Sequence, residues 1–303
     1  MGKIMKTLKD YLISKEVSAD LISVIETVAA SIIDISAAVR KSDGSKAGSS
    51  NIYGEEQLAL DVLSDKIVMD YLKKNEKVGL VGSEELDDEL VIGEGDYAVC
   101  SDPLDGSSLV DVNLSVGTIV GIYKTKSFIG TKGDDQVAAI ASLYGPSTTL
   151  FLTIKKGLVQ FKLDENGEWV VMKNDIQVGE GKMFAPGNLR ACKSREDYLK
   201  LVNFWVTNQY TLRYSGGMIP DINQIFLKGK GIFSYPGYGD APDGKLRLLY
   251  ECAPMSLLME QAGGMSSDGK IRLLDKELKD LGQRSPIFIG SEGEVKRCEE
   301  YLD

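Results

Sequence analysis

The chain has 303 residues and a net charge of −10 without a basic stripe, which argues against nucleic acid as its partner. It contains no histidine, which excludes Ser-His-Asp and Cys-His catalysis and histidine-ligated zinc, so hard cations on oxygen ligands are the expected metals. No uninterrupted apolar run approaches the ~18 residues that a membrane span needs.

The first residues, MGKIMK, form neither a signal peptide nor a convincing transit peptide. We therefore expect a cytoplasmic protein, or one in a plastid or other organelle if a leader has been removed. An amphipathic helix is predicted over 18–40, with Ser18 as its N-cap, followed by a polar loop over 43–50. A second amphipathic helix is predicted from about Glu55 to Lys74.

Short apolar segments then alternate with turns, and their valine, isoleucine, threonine and tyrosine content predicts strands. These strands are expected at 78–82, 97–100, 116–123, 137–144, 148–154, 158–162 and 169–172. From about Met183 strands alternate with helices, the helices at 194–208, 219–228, 253–262 and 291–302 and the strands near 231–235 and 286–290. The pattern predicts an α/β protein in two halves, 1–183 and 184–303.

The segment 101–108, SDPLDGSS, is the strongest candidate for a site. Asp102 and Asp105 follow a predicted strand, and a turn there would free the Leu104 carbonyl to join the two carboxylates. Residues 106–108 then offer unobstructed N–H groups and hydroxyls that suit a phosphate. The simpler alternative, a turn joining two strands, explains the Asp-Gly pair but not the second aspartate or the paired serines.

Other acidic residues are weaker candidates by themselves. Glu84 and Glu85 end a predicted strand, although such a pair is often a solvated surface feature. Asp61 interrupts an apolar stretch of a helix, where solvent exposure is the simpler interpretation. Glu251 is expected at the end of an apolar strand over 245–252, and Arg213 leads through Tyr214 into a glycine turn suited to an anion.

Three segments, 101–118, 213–221 and 245–264, resemble the fructose-1,6-bisphosphatase family. The DPLDGSS block also belongs to a wider superfamily of Mg²⁺-dependent, lithium-sensitive phosphatases that includes inositol monophosphatases. Further segments resemble the sedoheptulose-1,7-bisphosphatases of the family, at 143–146, 185–190, 217–224 and 266–269.

The resemblance implies a layered αβαβα sandwich, with most metal ligands in residues 1–183 and the sugar and distal-phosphate contacts in residues 184–303. Two or three Mg²⁺ ions per site, or Mn²⁺, are expected on the following ligands: Glu84, Glu85, Asp102, the Leu104 carbonyl, Asp105 and Glu251. Glu85, assisted by Asp61, is expected to accept the proton of the attacking water, and Glu55 stands where the family has aspartate. Gly106, Ser107 and Ser108 are expected to hold the phosphoryl oxygens.

The resemblance assigns the sugar and the distal phosphate to Asn188, Arg213, Tyr214, Met218, Tyr235 and Lys245. In fructose-1,6-bisphosphatases the position of Arg213 reaches into a neighbouring subunit's site, which predicts a homo-oligomer, a dimer or a tetramer. Ala191 stands where those enzymes have a tyrosine that holds the distal phosphate, and it is expected to leave room for a longer sugar.

The expected activity is therefore hydrolysis of the 1-phosphate monoester of sedoheptulose 1,7-bisphosphate. The alternatives are a fructose-1,6-bisphosphatase or dual-specificity enzyme, an inositol-phosphate type of phosphatase, and an inactive sugar-phosphate sensor or scaffold. The complete set of acidic ligands argues against the inactive protein.

Overall fold

A computed structural model describes residues 6–42, 46–50 and 56–302. Three helices come first in the chain, and a two-stranded antiparallel ribbon lies between the second and third. The helices are α1 (Leu8–Ser14), α2 (Ala19–Val39) and α3 (Ala59–Leu72), and the ribbon strands are β1 (Lys46–Ser50) and β2 (Glu56–Leu58). The prediction of a loop over 43–50 was therefore wrong for 46–50, because pairing with β2 supplies backbone hydrogen bonds that local composition does not reveal.

Side-chain caps begin the first two helices. The Thr7 hydroxyl accepts the Asp10 N–H (3.2 Å), and Asp10 in return accepts the Thr7 N–H, which is a capping box. Ser18 accepts the Leu21 N–H (3.3 Å), as predicted for the N-cap of α2.

Among the described residues, α2 alone is long and apolar enough to cross a membrane by length and composition. Half of its most apolar window is buried inside the protein, where Ile25, Val28 and Ile32 pack in the core. Here α2 is a core helix.

An eight-stranded sheet occupies the middle of the first half. Its strands are β3 (Val78–Ser83), β4 (Leu90–Val91), β5 (Tyr97–Asp105), β6 (Val116–Tyr123), β7 (Gln136–Tyr144), β8 (Thr148–Thr153), β9 (Leu158–Leu163) and β10 (Trp169–Lys173). Their order is β10-β9-β8-β7-β6-β5-β3-β4, and only β3 and β5 pair in parallel. The seven strands predicted here are confirmed, and β4 is additional.

A five-stranded sheet with four helices forms the second half. Its strands are β11 (Gly179–Pro186), β12 (Thr211–Leu212), β13 (Lys230–Tyr235), β14 (Met265–Ser267) and β15 (Ile287–Gly290), in the order β12-β11-β13-β15-β14. The helices are α4 (Glu196–Thr207), α5 (Met218–Lys228), α6 (Ala253–Gln261) and α7 (Glu292–Tyr301). The chain passes between the sheets after Lys173 and before Gly179, and the division at 183/184 stays a prediction.

Three hydrophobic clusters join the elements into alternating layers. Side chains of β5 alternate between two of them: Val99 packs with α2 and α3, whereas Cys100 packs with α5 and α6. The third cluster joins β11 and β15 to α4 and α7, with Trp205 fully buried at its centre. This arrangement confirms the layered αβαβα sandwich and explains why the strands of the larger sheet read as continuous apolar runs.

Candidate active site

The DPLDGSS segment begins inside a strand. Strand β5 continues to Asp105 through a bulge, because Asp102 pairs with Ile119 and Asp105 with Gly117. The Leu104 N–H donates to the Asp102 carboxylate (3.0 Å), outside the regular ladder. The turn predicted here is thus a bulge, and it carries both aspartates.

Glu251 joins these aspartates from about 150 residues further along the chain. One carboxylate oxygen from each of Asp102, Asp105 and Glu251 lies within 4.8 Å of the other two, and all three residues are at most 5% exposed. Glu251 lies on a helical turn, Leu248–Cys252, that leads into α6, so the strand predicted over 245–252 was wrong. The turn closes because the Glu251 carboxylate accepts the Arg247 N–H (2.6 Å) while the Arg247 carbonyl accepts the Cys252 N–H (3.0 Å).

All three carboxylates have a raised pKa, and the charge of Asp105 contributes to the rise in the pKa of Asp102 and Glu251. Burial is the largest cause in each case: it raises the pKa of Asp102 and Glu251 well above their usual values and that of Asp105 to about 6. Repulsion from Glu84 adds to the rise in the pKa of Asp102 and Glu251. Such a cluster favours either bound protons or a bound cation.

Glu84 extends the cluster and has a cationic partner. It follows β3, its N–H donates to the Ser101 carbonyl (3.0 Å), and its carboxylate forms an ion pair with the guanidinium of Arg247. Arg247 is only 2% exposed. Arg247 was not predicted as a site residue, although it lies within the segment 245–252 that contains Glu251.

A cavity of ≈ 290 Å³ contains most of the predicted site. Its acidic wall consists of Asp61, Glu84, Glu85, Asp102, Asp105 and Glu251. Asp61 lies in the first turn of α3 and is 7% exposed, so solvent exposure, the simpler interpretation of that residue, was wrong.

The remaining walls come from both halves of the chain. Leu104, Gly106, Ser107 and Ser108 line the cavity, and so do Tyr214, Met218, Tyr235 and Lys245. Gly106 has a φ of 77°, in the left-handed region that favours glycine, and it caps a short helical turn at Ser107–Leu109. The lining residues that were not predicted are Gly216, Gly217, Phe233, Leu246 and Arg247.

Three residues singled out in the sequence do not line the cavity: Asn188, Ala191 and Arg213. Arg213 is exposed outside the cavity, and its N–H donates to the Phe184 carbonyl (2.9 Å). Asn188 does not line the cavity either, although its backbone lies close enough to the Tyr214 hydroxyl to oppose the rise in the pKa of that group. Glu55 lies outside the described residues.

Ala191 is fully buried in the cluster under α4 and not on the cavity wall, so the expectation that it widens the sugar pocket was wrong.

Two protein-family models match the chain. Residues 6–174 match the fructose-1-6-bisphosphatase N-terminal domain, and residues 178–303 match the fructose-1-6-bisphosphatase C-terminal domain. The chain is 43% identical to a fructose-1,6-bisphosphatase class 1 of Geobacter sulfurreducens, covering 99% of this chain and 96% of that protein. It is 42% identical to a chloroplastic sedoheptulose-1,7-bisphosphatase of Triticum aestivum, and this match covers 98% of this chain and 76% of that protein. A Leishmania major fructose-1,6-bisphosphatase structure in holo form superposes with a TM-score of 0.94 at 31% identity over 99% of both chains. The chain therefore belongs to the fructose-1,6-bisphosphatase family of metal-dependent sugar phosphatases, as its motifs predict.

Proposed function

We propose that the protein is a sedoheptulose-1,7-bisphosphatase that hydrolyses the 1-phosphate monoester of its substrate. The observation that supports bisphosphatase activity is that one cavity is lined both by acidic residues with the Gly106 turn and by Tyr214, Tyr235 and Lys245. Carboxylates suit cations that neutralise one phosphate, whereas a lysine and hydroxyl groups suit the sugar and the second phosphate.

The donor set fits Mg²⁺. Asp102, Asp105 and Glu251 offer convergent buried oxygens. Burial raises the pKa of all three, repulsion from other carboxylates adds to the rise for Asp102 and Glu251, and a divalent cation would relieve that repulsion. Glu84, Glu85 and Leu104 line the same cavity, and we assign the two carboxylates and the Leu104 carbonyl to the rest of the ligand set. When bound, the cations supply Lewis-acid activation of water and stabilisation of the leaving oxygen. Mg²⁺ is our proposal, with Mn²⁺ as the alternative.

The side chains divide the remaining work. Glu85 and Asp61 both line the cavity, and we assign them the proton of the attacking water, with Glu85 as acceptor and Asp61 as its assistant. Gly106, Ser107 and Ser108 hold the phosphoryl oxygens through N–H and hydroxyl groups. We also propose a supporting catalytic role for Glu55, and this proposal rests only on the family resemblance.

The choice of sugar rests on sequence likeness. The segment 217–224, which resembles sedoheptulose-1,7-bisphosphatases, contributes Gly217 and Met218 to the cavity. Fructose 1,6-bisphosphate is the alternative substrate, and it is favoured by Tyr235, which lines the cavity and is typical of fructose-1,6-bisphosphatases. An inactive sensor or scaffold has no specific observation in its favour.

We also propose a homo-oligomer, a dimer or a tetramer. Arg213 is exposed and lies off its own cavity, where a neighbouring copy could use it, and Asn188 would support the distal end through Tyr214. The cytoplasmic location stays a prediction.

The test is phosphate release in Mg²⁺ from sedoheptulose 1,7-bisphosphate and fructose 1,6-bisphosphate side by side. A higher kcat/KM for the seven-carbon substrate supports the proposal, equal or reversed values support the alternative, and no release from either overturns both.

A variant series tests the assigned roles. Glu85→Gln and Asp61→Asn should each lower kcat by about a hundredfold or more. Asp88→Asn, a nearby exposed carboxylate outside the cavity, is the matched control and should retain kcat. Near-normal turnover by both Glu85→Gln and Asp61→Asn would refute the roles.

A further inference from the structure

The segment 214–217, between β12 and α5, forms one wall of the cavity through Tyr214, Gly216 and Gly217. It lies directly on the Gly106 turn: a Cβ atom built on Gly106 would be 3.5 Å from the Gly217 Cα atom. A Cβ atom on Gly217 would be 3.0 Å from the Leu109 side chain. The segment thus has little freedom to move toward the turn without changing the cavity.

Asp221 holds this segment by hydrogen bonds from outside the cavity lining. It lies in the first turn of α5, is 1% exposed and does not line the cavity. The Ser215 N–H donates to both of its oxygens (2.9 and 3.1 Å), and the Gly216 N–H lies close enough to oppose the rise in its pKa.

A second carboxylate fastens the start of α5. The Ile219 N–H donates to Asp105 (2.9 Å), one of the proposed metal ligands. The chain from Ser215 to Ile219 is therefore held at two points, by Asp105 on the cavity side and by Asp221 on the buried side.

The hydrogen-bond donors to Asp221 named above are neutral, so its burial is costly. Burial, the largest cause, raises the pKa of Asp221 to about 7, although Ser215 and the Gly216 N–H oppose the rise. A buried carboxylate without a cation is tolerated where its hydrogen bonds are needed. Here those bonds all go to the segment 214–217.

We infer that Asp221 is a positioning residue that sets the spacing between the reacting-phosphate end and the distal end of the substrate cavity. It does so by holding the segment 214–217, with Tyr214 at the distal end, against the Gly106 turn. The inference rests on the proposed function, which places the two phosphates at these ends. Because Asp221 touches neither phosphate, its loss weakens binding of the whole bisphosphate more than it slows the chemical step.

The kinetic test is Asp221→Asn. Its amide oxygen can still accept one N–H, but its NH₂ group faces donors, so the segment loosens while the volume is kept. KM for the preferred bisphosphate should rise about tenfold, with a smaller change in kcat. Gly216→Ala is a second variant: Gly216 has a φ of 106°, so alanine shifts the segment without altering Asp221 and should give the same split between KM and kcat.

Asp268→Asn is the matched control. Asp268 also holds a loop through two backbone N–H groups, those of Lys270 and Ile271 (2.9 Å each). However, Asp268 does not line the cavity, and its neighbours in the sequence do not line it either. This variant should leave KM unchanged. An unchanged KM in Asp221→Asn and Gly216→Ala, or an equal rise in Asp268→Asn, overturns the inference.

Hydrogen exchange separates this inference from the proposed function. The amides of Ser215 and Gly216 should exchange faster in Asp221→Asn than in the wild-type protein, and those of Lys270 and Ile271 should not. If the wild-type protein hydrolyses neither bisphosphate, the proposed function fails, and unchanged exchange at 215–217 would still overturn the role of Asp221.

Discussion

Replacing Asp105 with asparagine should stabilise the metal-free protein and at the same time abolish turnover. Asp105 lies among buried carboxylates, and its charge also raises the pKa of Asp102 and Glu251. Neutralising it removes one buried charge and part of the repulsion on its neighbours. The asparagine oxygen can still accept the Ile219 N–H that Asp105 accepts at 2.9 Å, so the local backbone is retained.

The magnitude follows from the pKa of Asp105, which burial raises from 3.8 to about 6. Since one pKa unit corresponds to ~1.4 kcal/mol, the ionised side chain costs about 3 kcal/mol at neutral pH. The cost is absent below pH ~4, where the folded and unfolded states are both protonated, and it grows until the pH passes about 6. The variant should therefore gain about 3 kcal/mol at pH 7.5, or roughly 5 °C in Tm, and almost nothing at pH 4.

The assay is thermal unfolding in EDTA at both pH values, with phosphate release in Mg²⁺ measured separately. Asp268→Asn is the control with the opposite sign: burial favours a raised pKa for Asp268, but the hydrogen bond from Lys276 and those from the Ile271 and Lys270 N–H groups outweigh it and lower the pKa. That control should lose stability at pH 7.5. A lower Tm for Asp105→Asn in EDTA at pH 7.5, or an equal gain at pH 4, would refute the reasoning.

Two further substitutions probe the same cavity. Arg247→Met should lower the free energy of unfolding of the metal-free protein by about 3 kcal/mol, because it removes the buried guanidinium that forms an ion pair with the half-buried Glu84 beside other carboxylates. Urea unfolding in EDTA measures this, and a loss below ~1 kcal/mol would contradict it. Gly106→Ala should cost about 1 kcal/mol and lower kcat/KM, because alanine is strained at a φ of 77°. Gly239→Ala, where a Cβ atom would meet nothing within 4 Å, is the control and should change neither quantity.

Local pattern predicted the long elements well and the short ones poorly. Strand β6 was predicted at its observed bounds because its apolar run is flanked by polar residues, Ser115 and Lys124. Strands β12 and β14 have two and three residues, too few for any periodicity, and half of β11 is not buried. The apolar run 245–252 was assigned to a strand because short apolar runs fit strand and helix equally. The contact between Glu251 and the Arg247 N–H decides for the helical turn.

The amino-acid sequence by itself determined the class of chemistry. The absence of histidine left carboxylates and hard cations, and the segments around Asp102, Arg213 and Glu251 identified the family, because motifs of this kind are local. Only the tertiary structure decided which of these groups meet. It brought Glu251 within 4.8 Å of Asp102 and Asp105 and paired Arg247 with Glu84.

The tertiary structure also decided burial. It placed Asp61 in the cavity wall, although the local pattern alone indicated solvent exposure, and it placed Ala191 in the core, against the expectation of a wider sugar pocket. The physical reason is the same in both cases. Burial and pairing depend on how helices and sheets distant in the sequence pack together, and no local pattern contains that information.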